Sequence, residues 1–203
     1  MFRTKTAVAL LAAAALVAAG CGSSKKGSSS SAPVSNDGGS ANALSAEAQS
    51  AATGDIPDNQ VFLTFHNSAA RYSIKYPEGW TQSGSGRDVT FRDKNNLVHI
   101  LVTKGSAPSP ASVAAQLKAL KASNPTLQFQ PPQTLKFGSA QVVKATYTTK
   151  SAPNQVTGKR VTLIVDRYEL AKGGERAVVD LGTPKGVDNV DAYRMMIQSF
   201  KWR

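Results

Sequence analysis

Reactive side chains are scarce in this sequence. Its 203 residues include one cysteine and two histidines, His66 and His99. A single cysteine cannot form an internal disulfide, and a zinc site needs three or four ligands. The patterns HExxH, GxSxG and GxxxxGKS/T are also missing. We therefore identify no catalytic, metal-binding or cofactor-binding residues, and we expect both histidines to lie on the surface or to pack within strands.

No apolar run is long enough to cross a bilayer as a helix, which takes about 20 residues. The longest run extends from Ala7 through Ala19 and follows the basic residues Arg3 and Lys5. A basic start, a short apolar core and small residues at its end are typical of an export signal. We therefore exclude this segment from the folded domain.

The end of this segment, Leu16-Val17-Ala18-Ala19-Gly20-Cys21, resembles a bacterial lipobox. It departs from the favoured pattern at Ala18, where leucine is preferred. In lipoproteins with this signal, the cysteine receives a diacylglyceryl group and cleavage follows just before it. The resemblance implies that residues 1–20 are a signal peptide and that Cys21 is the lipidated first residue of the mature chain. The alternative is an ordinary signal peptide cut near Gly20, which would leave Cys21 as a free thiol.

Composition divides the rest of the chain into two parts. Residues 21–55 are mainly Ser, Gly, Ala and Asn, and they offer little apolar surface against an ordering cost of roughly 1–2 kcal/mol per residue. We predict a disordered tether there. Residues 56–203 hold all five tyrosines and both tryptophans, and this length suffices for one domain. We expect a lipid-anchored domain on the extracytoplasmic face of a membrane in the bacterial cell envelope.

Acidic residues are few in the domain. Residues 56–203 contain 20 Lys plus Arg and 10 Asp plus Glu, a net charge of +10. A basic domain beside a membrane favours an anionic envelope polymer, lipid head groups or an envelope protein as partner, although the charge alternatively serves solubility alone. We expect no nucleic-acid partner, because no nucleic-acid-binding module is recognisable. The candidate contacts near the 148–160 connection are Lys144, Lys150, Lys159 and Arg160.

Apolar and polar residues alternate with a period of two in the first half of the domain, which predicts β-strands. These strands are predicted at 61–65, 72–76, 89–91 and 97–102. Turns are predicted at 77–79, 83–86 and 94–96. Trp80 follows the first turn and is predicted to point into the core. The first half therefore forms an antiparallel meander.

The second half contains helix and strand signals. Ser109-Pro110 is a typical helix start and Asn124-Pro125 a typical end. Strands are predicted at 141–148, 160–169 and 176–181, with a hairpin turn at Gly173-Gly174. A last helix is predicted from about Val187, with Asp188 as N-cap. The predicted apolar faces comprise Val113, Leu117 and Leu120 in the first helix, and Val190, Tyr193, Ile197 and Phe200 in the last. We predict an α+β fold in which an antiparallel β-sheet is flanked by helices.

One stretch of the domain is similar to a known family. Tyr72-Ser73-Ile74-Lys75-Tyr76-Pro77-Glu78-Gly79-Trp80 resembles the Y-x-F/I/V-x-Y-P-x-G-W pattern of PsbP-like proteins. Val89-Thr90-Phe91-Arg92-Asp93 is similar to the V-x-F-x-D that follows it, and Ser199-Phe200 to the family's ending. Similar domains occur in bacterial lipoproteins of the LpqN type. The resemblance implies a PsbP-like α/β/α sandwich and a role in binding or assembly rather than catalysis.

Three functions are compatible with the sequence. The first, which we favour, is a lipid-anchored extracytoplasmic binding or assembly module without catalytic activity. The second is a cell-envelope hydrolase that uses a carboxylate pair, and the third is a carrier of a small apolar ligand. The hydrolase requires two acids at a defined separation in one cleft. The acids to be examined for this are Asp88, Asp93, Asp166 and Glu169.

Overall fold

A computed structural model describes residues 54–138, 140–154 and 156–203. The predicted signal peptide, Cys21 and nearly all of the predicted tether lie outside these residues. The described part contains these elements: β1 (Phe62–Asn67), β2 (Tyr72–Pro77), β3 (Thr81–Ser85), β4 (Asp88–Asp93), β5 (Asn96–Lys104), α1 (Pro110–Ser123), β6 (Gln128–Phe129), β7 (Gln133–Phe137), β8 (Ala140–Lys150), β9 (Thr162–Lys172), β10 (Glu175–Pro184), α2 (Val190–Gln198) and β11 (Lys201–Trp202). Neither α1 nor α2 has the length and hydropathy of a membrane span.

The strands form two antiparallel sheets. The larger sheet has eight strands in the order β3-β4-β5-β10-β9-β8-β6, and β7 also pairs with β8. The smaller sheet has the order β1-β2-β11. The α+β prediction is confirmed, because the sheets are antiparallel and helices pack against them.

Alternation along the strands gives the larger sheet two apolar faces. Val142 and Val143, adjacent on β8, belong to different core clusters. One face packs against the smaller sheet and α2, and this cluster includes Trp80, which is 9% exposed. The burial predicted for Trp80 is therefore confirmed. The other face packs against α1.

The first helix begins and ends where the sequence predicted. The Ser109 hydroxyl accepts a hydrogen bond from the Ser112 backbone N–H at 3.1 Å, and the Ser112 hydroxyl accepts one from the Ser109 backbone N–H at 3.0 Å. This reciprocal pair forms a capping box around the helix start. Val113 and Leu117 are fully buried as expected, but Leu120 is 38% exposed. The predicted apolar face was thus one residue too long.

The second helix differs from its prediction at the N-terminus. Asn189 is the N-cap rather than Asp188, and Val190 is 61% exposed instead of buried. The Asn189 side chain is occupied elsewhere, since its Oδ1 accepts from the Ile56 N–H at 2.8 Å and its Nδ2 donates to the Gly54 carbonyl at 3.1 Å. Asn189 therefore ties the first described residues to the domain.

Four short strands, β3, β6, β7 and β11, were not predicted from the sequence. The predicted turn at 83–86 was wrong for its first residues, because Thr81–Ser85 form β3 and the turn lies at 86–87. This strand has no apolar alternation and is exposed along its whole length. The strands β6, β7 and β11 are held by pairing with β8 and β2 rather than by a hydrophobic pattern. Such strands leave little signal in the sequence.

Candidate binding surfaces

The connection between β8 and β9 forms a defined turn. The Asn154 side-chain oxygen accepts hydrogen bonds from the Val156 and Thr157 backbone N–H groups at 3.0 and 2.9 Å. The Asn154 N–H donates to the Lys159 carbonyl at 2.8 Å. This arrangement places Val156 outward, with 93% of its surface exposed. The sequence placed Val156 in the connection between two predicted strands but did not predict its exposure.

Three of the four predicted anionic contacts surround this turn. Lys150 ends β8 and its Nζ donates to the Thr162 hydroxyl at 2.8 Å. Lys159 and Arg160 are exposed, and an Arg160 Nη1 donates to the Ser151 carbonyl at 2.8 Å. The exposed residues Lys150, Val156, Lys159 and Arg160 are hereafter the basic tip. No acid occurs in residues 150–162, so the charge of this segment is uncompensated locally.

Lys144 lies elsewhere. It is six residues before Lys150 on the same strand, which corresponds to roughly 20 Å. Its Nζ lies 2.8 Å from Asp166 Oδ2 and 5.4 Å from the centre of the Tyr168 ring. Burial lowers the pKa of Lys144, but the hydrogen bond and charge of Asp166 more than offset this and raise it. The charge of Lys144 is therefore compensated by the carboxylate of Asp166, and Lys144 is separate from the basic tip.

A groove of about 370 Å³ lies beside Lys144, between α2 and the larger sheet. Its lining combines apolar side chains with the Lys144–Asp166 pair and Arg194. The apolar residues along it include Leu135, Phe137, Ile164, Leu181, Val190 and Ile197. Clefts with an apolar lining and a few polar groups are typical small-molecule sites, although this one is at the lower end of the usual size range.

The other face of the larger sheet carries a charged network that the sequence analysis missed. Arg167 on β9 donates from Nε and Nη2 to both carboxylate oxygens of Asp180 on β10, at 2.8 and 2.7 Å. Both residues are buried. Burial raises the pKa of Asp180, but the hydrogen bonds from Arg167 and the nearby His99 ring hold it below the usual range. This carboxylate is therefore ionised and fully engaged.

His99 lies between two carboxylates in the same network. Its Nδ1 is 3.9 Å from Asp180 Oδ2, and its Nε2 is 2.8 Å from Asp88 Oδ1. Asp180 raises the pKa of His99, burial opposes this, and Asp88 raises it further. The prediction that His99 packs within a strand is confirmed, since it lies on β5 against neighbouring strands. His66 is exposed on β1.

A second buried pair lies on the same face. Glu169 is fully buried, and one of its oxygens accepts hydrogen bonds from Nε and Nη2 of Arg176, the former at 2.9 Å. The sequence signal for both networks was the presence of charged residues at inward positions of β9 and β10. That signal does not identify the partners, because Arg167 and Asp180 lie directly opposite in the register whereas Arg176 reaches Glu169 diagonally.

The four acids considered for hydrolysis do not form a pair in one cleft. Asp88 and Glu169 share a face and one cross-strand row, but Leu101 and Val178 lie between them. Three strand spacings amount to roughly 14 Å, whereas paired carboxylates in glycosidases lie about 5–9.5 Å apart. The remaining acids, Asp93 and Asp166, project from the opposite face and are at least as far apart.

The pair that does converge, Asp88 and Asp180, is separated by the ring of His99. The imidazole occupies the position that a substrate would need. Across residues 54–138, 140–154 and 156–203, no group of three or more His, Cys, Asp or Glu side chains is arranged to hold a metal ion.

Comparison with known proteins gives structural likeness only. No family model and no curated protein sequence matches this chain. The solution structure of cyanobacterial PsbP from Synechocystis sp. PCC 6803 has 13% identity, covers 74% of this chain and 98% of its own, and has a TM-score of 0.53. The Ran-binding protein Mog1p of Saccharomyces cerevisiae has 7% identity, covers 71% and 96%, and has a TM-score of 0.47. Identity this low extends the likeness to the fold alone, and the chain has the fold of PsbP.

Proposed function

We propose that this protein is a binding or assembly module without catalytic activity, held on the extracytoplasmic face of a bacterial membrane by a lipid on Cys21. The folded domain contributes the binding surfaces, and the preceding segment connects it to the lipid. The lipobox-like residues before Cys21 support the anchor. Two or three acyl chains anchor a protein firmly, because each buried methylene contributes about 0.8 kcal/mol.

The observation that carries the non-catalytic assignment is the pairing of the inward-facing carboxylates. Asp180 is bound by Arg167, Glu169 by Arg176, and Asp166 by Lys144. A general acid or base must exchange a proton near the working pH and must reach the substrate. The carboxylate of Asp180 is held in its ionised form and is buried, so it meets neither requirement. These pairs hold strands together instead.

Labelling with fatty acid tests the anchor. Cells that express the chain are fed a labelled fatty acid, and the wild-type protein is expected to carry the label. Cys21→Ser should carry none. A matched control, Cys21→Ser with Ser23→Cys, moves the thiol two residues along the chain and should also remain unlabelled, because the cleavage and acylation signal ends at position 21. Labelling of the Cys21→Ser variant would contradict the anchor.

A hydrolase assay tests the absence of catalysis. The purified protein is incubated with cell-wall polymer, and release of new reducing ends is measured against Asp88→Asn. We expect no release above the no-protein background. Release that Asp88→Asn abolishes would show that the acid beside His99 acts in catalysis and would overturn the assignment.

The groove beside Lys144 favours a second candidate function, the carriage of a small apolar ligand. Its volume of about 370 Å³ admits only a small molecule or one chain of a larger one. Its apolar walls stabilise a hydrocarbon group at roughly 25 cal/mol for each Å² removed from water. The lining also includes the polar side chains of Lys144, Asp166 and Arg194, which would orient such a ligand.

A fluorescent apolar probe tests this candidate. Anilinonaphthalene sulfonate is expected to gain fluorescence with the wild-type protein. Gln198→Trp places a large ring at the exposed rim of the groove and should reduce the gain. The matched control Lys118→Trp places the same ring on an exposed position of α1 and should leave it unchanged. Equal fluorescence in all three proteins would place the probe outside the groove.

A further inference from the structure

We propose that the basic tip is a second membrane contact, which lies on anionic lipid head groups while the lipid on Cys21 holds the chain. This inference rests on the proposed function, because it assumes that the domain is anchored to a membrane. It assigns a specific surface of the fold to that membrane. It also excludes Lys144, which its ion pair with Asp166 occupies.

Charge and apolarity coincide at the basic tip. Lys150, Lys159 and Arg160 are exposed, and residues 150–162 contain no acid. Between them in the chain, Val156 has 93% of its surface exposed. Basic residues near an anionic leaflet each strengthen partitioning about fivefold. A polysaccharide offers nothing apolar for a valine to enter, whereas the head-group region of a bilayer does. The combination therefore favours lipid over an anionic polymer.

The turn that presents Val156 is held by its own hydrogen bonds. Asn154 accepts two backbone hydrogen bonds from Val156 and Thr157, and its own N–H and carbonyl bond to Lys159 and Gly158. Arg160 is fixed at the base by its bond to the Ser151 carbonyl. A preformed turn loses less conformational entropy on contact with a surface than a flexible one.

The basic tip lies at the same end of the sheet as the first described residue, Gly54. Lys150 pairs with Thr162, and the next residue of β9, Leu163, pairs with Pro184 at the end of β10. At this same end, the Gly54 carbonyl accepts a hydrogen bond from the Asn96 side chain at 2.6 Å. Asn96 begins β5 beside the end of β10. Gly54, the first described residue, therefore lies at the same end of the sheet as the basic tip.

The opposite end of the sheet differs in charge pairing. There, Glu175 begins β10 opposite both Lys104 and Lys172 in register. It also forms a bidentate ion pair with Arg87, at 2.5 and 2.9 Å. An acid thus accompanies the basic residues at that end, while the basic tip has none in its own segment. This difference concerns residues 150–162 alone, because Asp55, Asp58, Asp188 and Asp191 line a pocket with Asn189 at the end of the sheet that carries the basic tip.

A single-cysteine dye experiment tests the contact. The mature full chain is used, with Cys21 acylated, so that Val156→Cys supplies the free thiol. An environment-sensitive nitrobenzoxadiazole dye on this thiol is expected to shift to the blue on vesicles that contain phosphatidylglycerol. The shift should be smaller on phosphatidylcholine alone. It should also shrink at about 1 M salt, where the Debye length is about 3 Å. The same dye on Lys172→Cys, at the opposite end, should keep its aqueous emission.

Charge removal completes the test. In the Val156→Cys background, Lys150→Ala with Lys159→Ala should weaken tip contact roughly 25-fold, as two basic residues are lost. Lys104→Ala with Lys172→Ala removes the same charge at the other end and should have no effect. The proposal would be overturned if the dye at position 156 kept, on the anionic vesicles, the emission wavelength that it has in water. It would also be overturned if the dye at position 172 shifted equally, or if free anionic polymer produced the same shift at position 156.

The outcomes for the anchor and for the tip are separable. The chain without an added cysteine should take up no dye, because acylation occupies its only thiol. Dye on that chain would count against lipidation of Cys21 rather than against the tip. Vesicle-bound protein with an aqueous signal at position 156 would leave the anchor intact and reject the tip contact.

Discussion

The buried pair between Arg167 and Asp180 yields a sharp stability prediction. The two residues are 9% and 4% exposed and share two hydrogen bonds at 2.8 and 2.7 Å. Asp180→Asn keeps the shape of the side chain but leaves the Arg167 guanidinium buried without a counter-charge. Breaking a buried pair in this way costs about 3–5 kcal/mol. At about 2–4 °C per kcal/mol for a domain of this size, the melting temperature should fall by roughly 6–20 °C.

Two comparisons isolate the effect of burial in urea unfolding. Glu175 lies on β10, the strand that also carries Asp180, but its bidentate pair with Arg87 is at the surface. Glu175→Gln should therefore cost far less stability than Asp180→Asn. Asp180→Leu with Arg167→Met removes both charges and should recover most of the loss, because apolar replacement of a buried pair is often neutral. Two outcomes would contradict this prediction. Asp180→Asn would lower the free energy of unfolding no more than Glu175→Gln, or the double variant would be no more stable than Asp180→Asn.

The pH dependence gives an independent measure of the same pair. The pKa of Asp180 is lowered in the folded protein by its hydrogen bonds, against the effect of burial. Its contribution to stability is therefore present above the unfolded pKa of about 3.9 and is lost as the pH falls through the lower folded pKa. The stability difference between the wild type and Asp180→Asn should narrow in that acidic range.

Two further predictions concern the core and the histidine. Trp80→Ala should destabilise the domain by about 3–5 kcal/mol in urea unfolding, because Trp80 is 9% exposed in the main core; unchanged stability would mean that the ring packs against little. In the folded protein, Asp180 is the main cause that raises the pKa of His99, and burial opposes it. Its stabilising effect is thus complete below the unfolded pKa of about 6.5 and is lost as the pH rises through the higher folded value. The stability advantage of wild type over His99→Gln should therefore be greatest below about pH 6.5 and fall as the pH rises above it, and a constant difference would contradict the assignment.

The local elements were determined largely by the sequence. The start of α1 follows from Ser109-Pro110, because a hydroxyl cap and a proline act within one turn of the chain. The β9–β10 hairpin follows from Gly173-Gly174, where both residues have positive φ. The burial of Trp80 follows from a turn beside alternating strands. Each of these features depends on residues within a few positions of one another.

The prediction of the lipid anchor depends on the sequence alone. The residues around Cys21 are read as a linear signal, and they lie outside the described residues. The signal peptide, the tether and acylation of Cys21 therefore stay predictions, and the labelling experiment tests the acylation. The PsbP-like fold that the pattern from Tyr72 to Trp80 suggested is confirmed, whereas the LpqN-type assignment stays a prediction.

Tertiary structure alone decided which charges are free and which are paired. The sequence placed Lys144 with Lys150, but strand register sets it beside Asp166 and leaves the basic tip to the other three residues. The network of His99, Arg167 and Asp180 combines three strands. His99 and Asp180 are 81 positions apart in the chain. Strand order and register arise from packing two faces of a sheet at once, so no local pattern specifies which distant side chains meet.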